Sequence, residues 1–502
     1  MPNQLNFASS KKPVTAENAP KITIDGITVE FAPGDTIMAV AERAKVQGKI
    51  PRYCYHPALP VAASCRMCLV EVEKAPKMMT ACSTPAADGM VVHTRSEKVL
   101  AGRKGVMDFL LSNHPLDCPV CDKAGECDLQ DYNFEYGPSS SGFKEEKRVF
   151  EESSTKKLSD KVTLNMNRCV HCERCVRFTE NVTETHDLVM LNRGYHKELD
   201  AADPERGLFN EYQGVLTDLC PVGALTFDDF RFKKRSWFLR KNPSICDGCS
   251  KGCNMEVHSE MEVVYRLAPV FNEKVNGHWM CDEGRVSYHT YADPSRVIAP
   301  LLQSKGDAKI LAATTWETTF GAVKEMLSSA QSVSVVIGTD ATNEEAKLLQ
   351  EELPKIVNKG KVKFSFNNGF VKDSQENKAL DKLLRQSDKT PNTKGLEALG
   401  LHPFDKNQAD DLVVVYRHGR SKLPELSKGS AILWGVFSTE ELEKFLSQGV
   451  KVMALMPGLS TLEKAGSFTN VDGITQSFKV AIKHKGHALS TLEVLGRLHG
   501  NV

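Results

Sequence analysis

No stretch of this 502-residue chain approaches the roughly eighteen consecutive apolar residues that a bilayer-spanning helix needs. Neither sign of charge is in excess. Lys and Arg number 64 and so do Asp and Glu, which argues against nucleic acid or a polybasic membrane surface as the main partner. Residues 1–20 contain no apolar core and no arginine but do contain Glu17, so they fit neither a secretory signal nor a mitochondrial presequence and read as a flexible tail. Gly338 follows an apolar run, yet no G-x-G-x-x-G comes after it. No flavin motif or catalytic dyad stands out, so no catalytic residue is expected on this chain. Finally, no cysteine occurs after Cys281.

What is present is a row of thiols before that point. All 15 cysteines fall into four sets in sequence order: Cys54, Cys65, Cys68, Cys82; then Cys118, Cys121, Cys127; then Cys169, Cys172, Cys175, Cys220; then Cys246, Cys249, Cys253, Cys281. The second set has three thiols, and His114 stands where a fourth donor is needed. A lone histidine is more often a surface residue, but an iron–sulfur cube or a zinc ion beside three orphan thiols requires it. Imidazole is neutral where thiolate is anionic, so a histidine-ligated cluster should hold an electron more easily than an all-cysteine one. Reduced cysteines at this density point to the cytosolic side, since an oxidising compartment favours disulfides. Several inorganic centres on one chain suggest a path for electrons.

The length suggests roughly three to five domains. Over 21–98, Ile22-Thr23-Ile24, Asp25-Gly26 and Ile27 to Phe31 predict a hairpin. Thr36 caps a helix carrying Ile37, Val40, Ala41 and Ala44 and ending near Gly48, and Leu69 to Glu73 forms a strand. A small sheet on one helix is a ferredoxin plan, with Ala62, Ala63 and Ser64 letting amides approach the sulfurs. The spacing C-x10-C-x2-C-x13-C departs from the plant-type run, and structural zinc stays open for this set. Over 99–141, Val99, Leu100, Met107, Leu110 and Leu111 favour one face of a helix that delivers His114 and its three thiols.

Over 142–240, the charged stretch Gly142 to Lys161 reads as a solvated connector. Cys169-x2-Cys172-x2-Cys175 with a remote Cys220-Pro221 is the bacterial ferredoxin signature of a 4Fe–4S cube. Arg174 and Arg177 either stabilise the reduced cluster or are plain surface charge. Over 241–300, the fourth set lies among short strands, Met255 to His258 and Val263 to Leu267, and a small zinc module remains an alternative. Over 301–502 the pattern becomes α/β with a parallel sheet. Its strands are Val333 to Ile337, Val362 to Phe366, Leu412 to Tyr416, Ala431 to Gly435 and Val450 to Leu455, and its helices Asn343 to Ile356 and Thr439 to Leu446. Lys372 to Asn407 is polar and irregular, so the region reads as two lobes or one decorated domain.

The motifs Ser64-Cys65-Arg66-Met67-Cys68-Leu69-Val70-Glu71-Val72, His114 to Cys127, Arg168 to Arg177 and Asp218-Leu219-Cys220-Pro221-Val222-Gly223-Ala224-Leu225 occur in one order. In them the chain resembles the large iron–sulfur subunits (75 kDa type) of the proton-pumping NADH:quinone oxidoreductase, respiratory complex I. The resemblance covers roughly Lys21 to Asp293 and continues faintly through Gly466 to Gly473. It implies one 2Fe–2S cluster on the first set and three 4Fe–4S clusters on the others, about fourteen irons per chain. The fold class it implies is α+β and α/β multidomain: a β-grasp 2Fe–2S ferredoxin domain, a helical His/Cys3 segment, a 4Fe–4S ferredoxin-like domain, then a truncated molybdopterin-oxidoreductase-like α/β domain. The C-terminal region is much shorter than is usual there, and no molybdenum cofactor is expected.

Implied partners are the FMN/NADH-binding subunit, a small 2Fe–2S thioredoxin-like subunit, a two-cluster ferredoxin-like subunit and other peripheral-arm subunits. The implied place is the cytoplasmic face of a bacterial inner membrane, reached only through the complex. Rival readings share the N-terminal half: the iron–sulfur subunit of an NAD-linked formate dehydrogenase or hydrogenase diaphorase. Iron-only hydrogenases need further cysteines, and a catalytic molybdenum domain usually needs a thiol or selenol that the C-terminal part lacks. A structural zinc scaffold would be colourless where iron–sulfur protein is brown.

Overall fold

Ile22 and Ile24 point to one side of an alternating strand, and Asp25-Gly26 at positive φ turns the chain back on itself. The structure, a computed structural model, describes residues 19–45, 50–304, 311–357, 360–367, 369, 377–426, 429–447, 449–484 and 486–500. The expected tail up to residue 18 and Gly48 lie outside the described residues. Two units divide the chain, the first up to Phe238 and the second from Leu239.

In the first unit β1 (Lys21–Ile24), β2 (Ile27–Glu30), α1 (Ile37–Arg43), β3 (Leu69–Val72), β4 (Met79–Thr80) and β5 (Met90–His93) form a five-stranded sheet, ordered β2-β1-β5-β3-β4, around one helix. Thr36 caps α1, its hydroxyl accepting from the Ala39 amide at 3.2 Å. Ile22, Ile24, Ile37, Val40, Val70 and Val92 fill the space between helix and sheet, with Cys68 and Cys82 at the edge of that core. Next come α2 (Glu97–Asn113) and α3 (Asp128–Tyr136).

The inward stripe of α2 differs from the expected one. It is Val99, Arg103 and Met107, while Leu100 is 38% exposed. Arg103 takes the central place because its guanidinium lies 5.0 Å from the centre of the Tyr136 ring and donates to the Leu69 carbonyl at 3.2 Å.

The stretch from Gly142 to Lys161 is only partly the solvated connector expected. Its Lys144, Glu145, Glu146, Glu151 and Glu152 are exposed. Lys147, however, donates to the carbonyls of Leu111 (2.7 Å) and Ser112 (2.9 Å), capping the carboxyl end of α2. Ser153 and Leu158 are buried. The end of this stretch carries β6 (Lys156–Lys157), which with β7 (Val162–Leu164), α4 (Arg174–Asn181), β8 (Leu188–Leu191), β9 (Glu198–Ala201), α5 (Gln213–Leu219) and β10 (Leu225–Phe227) encloses the third cysteine set.

The second unit opens with an antiparallel sheet of β11 (Arg240–Ile245), β12 (Asn254–Glu260) and β13 (Val263–Pro269), then two short helices, α6 (Asp282–Arg285) and α7 (His289–Ala292). Its larger part is one eight-stranded sheet rather than two lobes. In chain order the elements are β14 (Leu301–Gln303), β15 (Leu311–Ala313), α8 (Trp316–Ser329), β16 (Ser332–Gly338), α9 (Asn343–Ile356), β17 (Lys361–Asn367), α10 (Thr393–Ala398), β18 (His402–Pro403), β19 (Leu412–Arg417), β20 (Ser430–Gly435), α11 (Thr439–Ser447) and β21 (Lys451–Pro457). The chain closes with a hairpin of β22 (Gly466–Thr469) and β23 (Thr475–Phe478) and with α12 (Thr491–His499).

The sheet order is β15-β14-β21-β20-β19-β16-β17-β18. From β21 to β18 neighbours are parallel, whereas β14 and β15 run antiparallel at one edge. Both faces are covered. Leu412, Val414 and Tyr416 of β19 pack with α8, α9 and α12, and Val413 and Val415 pack on the side of Leu442 and Phe445 of α11. The polar stretch expected to be irregular is ordered in its described part, 377–407. Asp388, Thr390 and Asn392 are buried, and Asn392 bonds to the Ala341 carbonyl at 2.8 Å and the Thr469 amide at 2.7 Å.

Gly435 ends β20 at φ +131, and a Cβ there would run into the Arg417 carbonyl oxygen. Gly435→Ala is expected to destabilise the chain by about 2 kcal/mol or more, from strain and the forced parting of β19 and β20. Thermal unfolding measures it, and an unchanged midpoint would mean that the turn relaxes freely.

Candidate metal centres

The first set forms where the loops after α1 and around β3 meet. Cys54, Cys68 and Cys82 are buried. Cys68 Sγ lies 3.4 Å from Cys82 Sγ, and the Cys54 amide donates to Cys65 Sγ at 3.5 Å. Hydrogen bonds from Cys65 and Cys82 hold the Cys54 thiol far below its ordinary range, and the same contacts push Cys65 and Cys82 up. Ser64 also bonds to Cys54. Ala63 and Arg66 have positive φ (52 and 58), which curls the loop around the sulfurs.

The third set closes around one apolar cavity lined by Cys169, Cys172, Cys175 and Cys220 with Met190 and Leu199. His171 and Glu173 sit at φ 51 and 58, strained values for side-chain-bearing residues that turn amides inward, and the His171 amide points at Cys169 Sγ, 3.4 Å away. Burial pushes the thiols of Cys169 and Cys175 up and that of Cys172 to about 11.

The fourth set gathers from the β11–β12 loop and the start of α6. All four thiols are buried, and burial drives them upward, Cys281 to about 12, with neighbouring thiols adding to the rise at Cys246, Cys253 and Cys281. Gly284 makes the space between two of them. A Cβ there would lie 2.9 Å from Cys246 Sγ and 3.5 Å from Cys281 Sγ. The amides of Gly248 and Gly284 point at those sulfurs, each at 3.4 Å.

The second set is looser. Burial raises Cys121, and Cys127 to about 11. A Cβ on Gly223, just past Cys220, would collide with Cys121 Sγ, so the second and third loops touch. His114 follows the carboxyl end of α2, and burial lowers its pKa to about 4, leaving the ring neutral at pH 7. Among the described residues no hydrogen bond joins it to Cys118, Cys121 or Cys127. It lines a polar cavity with Asn113, Arg148, Asn167, Cys169 and Lys197.

These donors suit iron–sulfur clusters. A buried thiol whose pKa is raised holds its charge only beside cations, which iron supplies. A cluster spreads its donors over several irons, whereas structural zinc draws four onto one point.

The sequence left Arg174 and Arg177 open, and the structure decides against surface charge. Both are buried. Arg177 donates to the carbonyls of Pro60, Cys54 (2.5 Å) and Cys172 (3.1 Å), and Arg174 to Tyr55 (2.8 Å) and Leu219 (3.3 Å). Two guanidinium groups therefore join the loops of the first and third sets. Between the first and second sets stand Tyr53 and Tyr132, ring centres 5.3 Å apart and edge to face. No spacing motif announces these residues. Arg52, Tyr53 and Tyr55 around Cys54, and Arg174 and Arg177 around Cys175, were the available signal.

Four family descriptions match the chain. They are a 2Fe-2S iron-sulfur cluster binding domain at 18–97, the NADH-ubiquinone oxidoreductase-G iron-sulfur binding region at 103–141, the ferredoxin-like domain of NADH-quinone oxidoreductase subunit 3 at 159–226, and the molybdopterin oxidoreductase Fe4S4 domain at 239–292. The NADH-quinone oxidoreductase G subunit of Rickettsia bellii is 37% identical over 338 residues, 67% of this chain and 48% of that protein. The NADH-ubiquinone oxidoreductase 75 kDa subunit of Reclinomonas americana is 36% identical over 370 residues, 73% of this chain and 52% of that protein. The chain thus spans about half the length of the curated relatives it matches. A solved chain of an NAD+-reducing [NiFe]-hydrogenase is 27% identical, covering 44% of this chain and 92% of its own, at a TM-score of 0.39, too low to bear on the arrangement of domains. With cluster-binding domains of both the 2Fe–2S and 4Fe–4S kind in this order, the chain belongs to the family of the NADH-quinone oxidoreductase G subunits and the 75 kDa subunits.

Proposed function

We propose that this chain is an electron-relaying subunit of an NADH:quinone oxidoreductase, standing between an FMN-bearing subunit that oxidises NADH and the subunits that reduce quinone. The observation that carries this reading is the presence of four donor sets, each inside a cluster-domain match, on one chain. Cys54, Cys65, Cys68 and Cys82 would hold a 2Fe–2S cluster. His114 with Cys118, Cys121 and Cys127, Cys169 with Cys172, Cys175 and Cys220, and Cys246 with Cys249, Cys253 and Cys281 would each hold a 4Fe–4S cluster. When bound, each cluster supplies a one-electron couple. The remaining partners are the thioredoxin-like 2Fe–2S subunit, the two-cluster ferredoxin-like subunit and the rest of the peripheral arm, on the cytoplasmic side of a bacterial inner membrane. Among the described residues no helix is long and apolar enough to cross a membrane.

The residues around the sets do three things. They exclude water, as the apolar wall of the third cavity does. They bring positive charge to where an electron adds negative charge, as Arg174 and Arg177 do between the first and third loops. They also keep one donor uncharged, since the buried His114 ring is neutral at pH 7.

Replacing that neutral donor by an anionic one gives a directional test. In His114→Cys a cluster remains but its midpoint falls by on the order of a hundred millivolts, because imidazole ligation raises potentials. Redox-poised low-temperature EPR measures this, and unchanged midpoints throughout would mean that His114 is not a ligand. Cys172→Ser in the assembled complex is expected to abolish quinone reduction by NADH while oxidation of NADH by ferricyanide persists. Full quinone reductase activity would place the third set off the path. Cys249→Ala is expected to leave turnover per assembled complex nearly unchanged but to lower assembly or thermal stability, since metal binding contributes folding energy. A large fall in rate with normal assembly would show that the fourth set conducts.

A further inference from the structure

The carboxyl ends of β16 and β19 flank the point where strand order reverses. From β16 the sheet continues outward to β17 and β18, and from β19 outward to β20 and β21. In an open α/β sheet that point is where a ligand binds. Here the chain fills it with its own groups. Asp340, fully buried just beyond β16, accepts from the backbone amides of Arg420 (2.7 Å) and Ser421 (2.9 Å) and from the Ser421 hydroxyl (3.2 Å). A Cβ on Gly338 would lie 2.5 Å from the Asp340 carboxylate, so this glycine makes room for the acid. The turn after β19 is thereby clamped to the end of β16.

That clamped turn carries Arg420 to the fourth cysteine set. Its Nη2 donates to the Gly248 carbonyl at 3.3 Å, between Cys246 and Cys249. The position a Cβ on Gly248 would take is 3.4 Å from Arg420 Nη2 and 3.3 Å from Cys246 Sγ, so guanidinium and sulfur lie on one side of the same peptide. Asp247 is the nearby counter-charge and is itself bonded to the Tyr291 hydroxyl, while Glu283 is paired with Lys389 at 2.6 Å. Arginine stays charged at any pH the protein meets.

We propose that Arg420, positioned by Asp340, makes the centre on Cys246, Cys249, Cys253 and Cys281 easier to reduce, so that the C-terminal sheet serves this centre as an electrostatic support. The inference rests on reading the fourth set as a cluster. One electron, supplied by the reductant used to poise the sample, adds one negative charge beside a fixed cation. At that range and an effective dielectric of about 20, the cation favours the reduced form by at least about tenfold even after Asp247 offsets part of its charge.

The test is a redox titration of the intact complex followed by low-temperature EPR, with the fourth-set signal identified as the one lost in Cys249→Ala. In R420Q the reduced-to-oxidised ratio of that signal at a fixed poise is expected to fall on the order of tenfold, which is 59 mV for a one-electron couple. R420K should restore most of it, and the other signals should not move. A present signal with an unmoved midpoint in R420Q overturns the proposal, as does a shift that R420K leaves uncorrected. Should R420Q lose the cluster, Asp340→Ala decides. Acting only through space, loss of that carboxylate would raise the midpoint, whereas acting through Arg420 it lowers it. If the unaltered complex has no signal that Cys249→Ala removes, the assignment of the fourth set falls and the proposal with it.

Discussion

A thiolate taken out of water needs positive charge beside it, and this chain buries eleven of its fifteen thiols and half-buries the rest. Everything around the four sets follows from that constraint. The loops that carry them hold few apolar residues and cannot form a core alone. They are instead seated on small sheets, closed by amides aimed at sulfur, and braced by arginines whose charge is retained inside. The residues at positive φ in the third loop, His171 and Glu173, are strained positions that a purely structural loop would have little reason to keep.

The two units meet the constraint differently. In the first, three sets share walls. Arg177 links the loops of Cys54 and Cys172, and Gly223 touches Cys121, so that no loop is independent of the next. Such an arrangement fixes the donors by short, direct bonds rather than by long apolar packing. In the second unit the set stands beside a large, conventionally packed sheet whose crevice is filled by buried charges. Arg296 pairs with Glu463 at 2.7 Å, and Lys464 with Glu345 at 2.6 Å. Such buried pairs add little net stability, because the cost of taking both charges out of water offsets their attraction.

Much of this was legible in the sequence where the signal is local. The Asp25-Gly26 hairpin and the helix from Asn343 to Ile356, with its Thr342 capping box, appear at their expected places because turn and cap chemistry reside in neighbouring residues. His114 is reached only by counting, since three thiols need a fourth donor, and it remains a proposed ligand. Arg177 was not legible as a brace, because two of the carbonyls it grips lie 117 and 123 residues earlier in the chain. The same holds for Arg103, whose buried place depends on Tyr136 and Leu69, and for Arg420, which reaches back to Gly248. A long cation reads as surface until the partners that retain it are known.

The arginine braces between the first and third sets grip main-chain carbonyls at hydrogen-bond distance, while the Asp128 carboxylate stands 4.0 Å from Arg174. A carbonyl is the same at every residue, so the positions that receive these bonds at Tyr55, Pro60 and Leu219 are free to change identity while the contact survives. The donor has no such freedom. A planar fork with several N–H groups holds carbonyls of separate loops in fixed directions, whereas a lysine gathers its donors at one point on a loose stem. Tolerance to substitution is therefore one-sided here: the loops can drift in sequence around their cysteines, and the arginines cannot.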